Sequence, residues 1–264
     1  MQSSNPVLSR QDVFSRNGYA TFRTEPETQA PDGLRRQFSP SGPVSTQPMT
    51  LDDVISRTGL LLVIAVATGA AAWFAEVGFG LAIVAALVGF GLAMVNSFKQ
   101  VPSPPLIMAY AAVEGVFLGA VSRAIETSDP NLDGVVVQAV AGTAIVFGVM
   151  LALYKSGKIR VTARFTKILI AATVAYMILM FGNLLLHLFD SGFNAWGGGM
   201  GLATAAIGVV LASLFLALDF DMVENGIRMG APQIESWRAA FGLTVTIVWL
   251  YLELLRLISI LRSE

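Results

Sequence analysis

Residues 134–154 read GVVVQAVAGTAIVFGVMLALY, and the connector that follows carries Lys155, Lys158, Arg160, Arg164 and Lys167. The run holds no charge and has the ~20 apolar residues that cross a ~30 Å hydrocarbon core as helix. In lipid every backbone amide and carbonyl must be bonded within the protein. That leaves helices or a closed barrel, and an apolar run without alternation selects the helix. Lys and Arg near the end of a span are retained on the cytoplasmic side, so the connector predicts a direction as well as a crossing.

Working outward, similar runs extend from Gly59 to Ala75, Gly80 to Ser97, Pro104 to Ser122, Lys167 to Phe189, Gly199 to Ala217 and Trp237 to Leu261, which with Gly134 to Tyr154 makes seven predicted spans. The composition agrees, with 55% of the 264 residues apolar and only 13% charged, against roughly 25% charged in a soluble domain. Prolines at Pro104 and Pro105 suit a helix start, where the missing amide donor does no harm. Arg57, Lys99, Arg228 and Arg238 fall on the same side as the basic connector, whereas the opposite connectors carry Glu76, Glu126, Asp129, Asp133 and Asp190. This arrangement predicts a multi-pass protein of a cell (inner) membrane, with the N-terminus cytoplasmic and the C-terminus outside.

Residues 1–49 are rich in Ser, Gln, Pro and Thr and show no apolar periodicity, which predicts a disordered cytoplasmic tail ahead of a transmembrane domain over 50–264. No apolar h-region and small-residue cleavage site mark it as a signal peptide. Thr50 and Asp53 have the spacing of a capping box, so a helix is predicted from Leu51.

The absence of cysteine excludes thiol chemistry and thiolate metal sites, and the single histidine, His187, lacks partners for a metal. A net charge of −1 offers no basic face for nucleic acid. No Ser and His stand in the pattern of an intramembrane serine protease, no Gly-x-Gly-Asp context surrounds Asp219, and the last span has no Lys for a retinal. An enzyme is not expected, and neither is a bound cofactor.

Ionisable residues inside spans cost at least ~2.5 kcal/mol each and call for a reason. Glu114 falls near the mid-depth of the third span. It adjoins a small-xxx-small face of Gly115 and Gly119, extended by Ala111 and Ser122, that suits close helix packing. Asp219 and Asp221 stand at the inner end of the sixth span. Burial disfavours a charged carboxylate and a nearby cation favours it, so an acid placed there is a candidate sensor of cytoplasmic acidity. With Glu224 they also offer hard oxygen ligands to Ca²⁺, without the spacing of an EF-hand; the alternative is a solvated helix end. Glu253 and Arg256 are spaced to pair on the last helix, although Arg256 can instead snorkel to the outer headgroups.

The run Ala217-Leu218-Asp219-Phe220-Asp221, the segment from Gly226 to Pro232 and the run from Trp249 to Arg256 together resemble the C-terminal signature of the Bax inhibitor family, the transmembrane Bax-inhibitor-motif proteins. Residues Ala112 to Gly119 resemble its third span, and the tail from Ser4 to Arg10 is similar to that of a bacterial branch. The resemblance implies an all-α polytopic fold of seven transmembrane helices with the last helix central, and a pH-sensitive Ca²⁺ leak. It also implies that an Asp near the end of helix six, matched by Asp219, pairs with an acid on helix seven. The Leu-Tyr-Leu-Glu stretch offers Glu253 for the second acid; if Leu254-Leu255-Arg256 sets the register, its place falls on Thr246, two turns further in. No Arg lies inside the second span as a counter-charge, and Lys99 at its inner end is the nearest candidate.

These readings converge on a calcium leak gated by protonation at Asp219, with Asp221, Glu114 and Glu253 as further candidates along the ion path. Its partners would be the bilayer, calcium ions and protons. The alternatives are a non-transporting regulator that binds membrane or cytoplasmic proteins of protease or stress pathways, and a proton-coupled carrier.

Overall fold

The computed structural model describes residues 47–188 and 198–263. The tail predicted over 1–49 lies outside the described residues as far as residue 46, as does the side chain of His187. Among the described residues the helices are α1 (Leu51–Phe74), α2 (Phe79–Phe98), α3 (Pro104–Glu126), α4 (Val135–Lys155), α5 (Ala163–Leu188), α6 (Gly198–Arg228) and α7 (Glu235–Ser263), with a 3-10 turn at Pro130–Leu132 before α4. The seven are long and apolar enough to cross a membrane. The helix α1 starts on the expected capping box: Asp53 N–H donates to the Thr50 hydroxyl at 3.2 Å, and Thr50 N–H donates to the Asp53 carboxylate at 3.2 Å. Pro104 and Pro105 occupy the first turn of α3.

The last helix is central. It packs against α1, α3, α4 and α6, with Leu250 and Leu255 fully buried, and the Tyr251 and Ser122 hydroxyls share a hydrogen bond of 2.6 Å. Half of its membrane-spanning part is buried, against 11% of that of α5, which packs chiefly on α6 and touches α7 through Tyr176. On the outward faces Val137, Ile145, Ile168 and Ile178 are exposed. A belt of that kind belongs against lipid tails and would aggregate in water.

Helices α1 and α3 approach backbone to backbone. Gly119 lies so near Gly69 that an added Cβ would overlap the Gly69 carbonyl, and one at Gly115 would meet Thr68 and the Ala65 backbone. This is the small-residue packing expected of Gly115 and Gly119, since only a missing side chain lets two backbones meet.

Residues 47–49, assigned by the sequence to the polar tail, are held against the folded bundle. Met49 N–H donates to the Ala231 carbonyl at 2.8 Å, Gln233 N–H donates to the Gln47 carbonyl at 2.9 Å, and Pro48 bridges to Pro232. Met49 is buried. This short strap ties the start of α1 to the connector of α6 and α7, where Gly230 turns the chain with φ +67°. Arg57 strengthens the same junction by donating to the Gln233 carbonyl at 2.7 Å.

Candidate functional site

Helix α6 does not stop where its apolar run stops. It continues through Asp219, Asp221 and Glu224 to Arg228, because polar residues propagate a helix as well as apolar ones once it leaves the hydrocarbon. At ~100° per residue, positions two and five beyond Asp219 point about 200° and 140° away from it. Only Asp219 therefore turns into the bundle, where it is 7% exposed. Its Oδ2 has no hydrogen-bond partner, and the Thr246 hydroxyl of α7 lies within hydrogen-bonding reach of the carboxyl. Gly242, one turn earlier on α7, also faces the carboxyl: a Cβ there would make an ordinary van der Waals contact with Oδ1 at 3.8 Å.

A cavity of about 560 Å³ opens beside this carboxylate, between the lower parts of α5, α6 and α7. Ile170, Phe215, Leu218 and Met222 form apolar wall, while Asp219, Asp221, Glu235 and Arg238 bring charge, and Met49 closes the strap side. Arg238 is engaged by Glu235 at 2.8 Å and by the Gln100 carbonyl at 2.5 Å.

The other expected site residues stand elsewhere. Asp221 accepts from the Asn225 amide at 2.7 Å, and Glu224 accepts from the Tyr154 hydroxyl at 2.6 Å. Among the described residues no three Asp, Glu or His side chains gather as a metal site, and the angular spread along α6 is the reason that Asp219, Asp221 and Glu224 do not. Lys99 caps α2 at the surface, with no ion pair to an acid among the described residues, and its backbone carbonyl accepts from Arg238 at 3.3 Å. Glu114 is half-buried between α2 and α3, and a Cβ on Gly89 would stand 2.9 Å from its Oε2. It is not brought to Asp219.

Glu253 belongs to a second buried cluster, toward the opposite end of α7. Seven residues separate it from Thr246, roughly 10 Å along a helix axis. Its Oε1 accepts from the Tyr176 hydroxyl at 2.6 Å and from the Trp249 indole at 3.1 Å, and Oε2 lies 3.6 Å from Arg256. Arg256 does not snorkel: its guanidinium also reaches the Thr204 hydroxyl and the Gly201 carbonyl, the latter at 3.3 Å. Gly208 of α6 makes the space, since a Cβ there would overlap the Glu253 carboxyl and stand 2.6 Å from the Tyr176 hydroxyl. Tyr176, Thr204 and Gly208 carry no signal in the sequence, because their roles depend on which faces of α5 and α6 meet α7.

Of the two positions open for the second acid, the geometry puts Thr246 opposite Asp219 and leaves Glu253 in its own ion pair. No curated protein matches the chain. A family model described as Bax inhibitor 1 like does match it, over residues 5–263. That match takes in the α6 segment with Asp219 and the central α7 with Thr246, and it extends over nearly the whole length, so the chain belongs to the Bax inhibitor 1 like family.

Proposed function

We propose that this chain is a pH-sensitive calcium leak of a bacterial inner membrane, a transporter and not an enzyme, with Asp219 as its proton sensor. The observation that carries the reading is the Asp219 carboxylate: nine-tenths buried, with one oxygen unpartnered, at the edge of a cavity near the basic end of the bundle. A carboxylate so placed has no ion partner to hold it charged, so its ionisation is governed by burial and by water reaching it through the cavity. Ionised, it draws cations and water into the gap between α6 and α7; protonated, it presents a neutral hydroxyl that hydrogen-bonds in place. Flux therefore rises with pH across the sensor's titration. Membership of a membrane-protein family supports the setting, and the Lys155–Lys167 connector supports a cytoplasmic location of the Asp219 end. In this reading the second acid is dispensable, and Thr246 serves as a neutral hydrogen-bonding partner.

Ca²⁺ entry into proteoliposomes, followed with a trapped dye and stepped between about pH 6 and 8, tests the reading. Wild type should show entry that falls on acidification, and Asp219→Asn should flatten the dependence. Entry no greater than into empty liposomes sinks the leak, and an unchanged pH profile in Asp219→Asn sinks the sensor.

A further inference from the structure

The cavity at Asp219 is far larger than a proton or a passing ion requires, and most of its wall is apolar. We propose that it is a binding site for an amphipathic organic cation, with the cationic nitrogen on the Asp219 carboxylate and the apolar body against Ile170, Phe215, Leu218 and Met222.

Three features point to that ligand class. A volume of about 560 Å³ falls inside the ~300–1,000 Å³ of small-molecule sites, which are likewise apolar with a few convergent polar groups. Asp219 lines the cavity without an ion pair, and its carboxyl keeps one oxygen, Oδ2, without a hydrogen-bond partner. An ammonium or guanidinium supplies the missing donor as a charge-assisted hydrogen bond, the stronger kind. The charges around the cavity then fix the sign. From α6 come Asp219 and Asp221, from α7 Glu235 and Arg238, while α5 contributes Thr166 and Ile170 and the strap Met49, all uncharged. Arg238 is already engaged by Glu235 and by the Gln100 carbonyl, so the cavity is left with an excess of negative charge.

A bare Ca²⁺ cannot satisfy this space, because it wants six to eight oxygen ligands and the wall at Asp219 is mostly hydrocarbon. A phospholipid with an anionic headgroup would meet Asp221 and Glu235. A cation that carries its own apolar body suits both parts of the site. The inference rests on the shape and charge of the cavity and does not depend on ion flux.

Equilibrium dialysis with the full chain in nanodiscs of zwitterionic lipid tests it, with 4-phenylbenzylamine as the probe, 4-phenylbenzyl alcohol as its uncharged counterpart and empty nanodiscs to subtract partitioning. The amine should bind saturably and at least about tenfold more tightly than the alcohol, a gap of about 1.4 kcal/mol. Asp219→Asn should bring the amine down to the level of the alcohol. Equal binding of the two probes to wild type, or amine uptake no greater than by empty nanodiscs, overturns the proposal. The wild-type comparison decides the matter even if Asp219→Asn fails to fold. Loss of Ca²⁺ entry with amine binding intact would remove the leak reading alone.

Discussion

Asp219 and Glu253 are both buried carboxylates on facing helices, yet their surroundings assign them different work. Glu253 is held by Tyr176, Trp249 and Arg256, whereas Asp219 faces the Thr246 hydroxyl and the cavity with one oxygen unpartnered. Removing one partner of a buried ion pair leaves the other charge without its counter-ion and costs about 3–5 kcal/mol. Glu253→Gln should accordingly lower the thermal stability of the purified protein by several degrees. Arg256→Met added to it should recover much of the loss, and a double variant no more stable than the single would show that the pair does not act as a unit. Ion flux through the Asp219 end should keep its pH dependence in either variant. The acids themselves were legible in the sequence because a charge inside an apolar run stands out. Their partners were not, since nothing along one chain segment reports that Gly208 leaves room for a carboxyl from α7.

Among the elements, α1 and α3 illustrate how glycine sets the distance between helices. Gly119 faces the backbone of Gly69, which cannot rotate away, while Gly91 on α2 has open space around it. Gly119→Ala should therefore destabilise the bundle by about 1–3 kcal/mol through overpacking. Gly91→Ala should be neutral or stabilise by up to about 1 kcal/mol through helix propensity. Thermal melts in detergent would check the contrast, and equal shifts for the two would mean that the α1–α3 crossing is not tightly set. The spacing of Ala111, Gly115 and Gly119 revealed this face, because a period of four is one side of a helix. The length of α6 was less legible. An apolar-run criterion sees only the part of a helix that lies in hydrocarbon, so the extension through Glu224 to Arg228 had to come from the structure. The strap at Gln47–Met49 was also hidden, its pairing being with residues far along the chain.

At the scale of the whole bundle, the central last helix followed from the family resemblance, and the count of spans from the apolar runs. Hydrocarbon thickness and backbone hydrogen bonding leave few other solutions. The proposed orientation is directly testable, because the chain has no cysteine and a single introduced thiol reports alone. In intact cells an impermeant thiol reagent should label Ser128→Cys, beyond α3, and spare Ser156→Cys, beyond α4. The reverse pattern would invert the orientation and put the Asp219 end outside. With all seven helices crossing, Gln47 and Ser263 would lie on opposite sides. Parity of this kind has a genetic corollary. Two copies joined head to tail by a short linker would insert antiparallel, one inverted against the other, so a duplicated form with both halves facing the same way must gain or lose a span at the join.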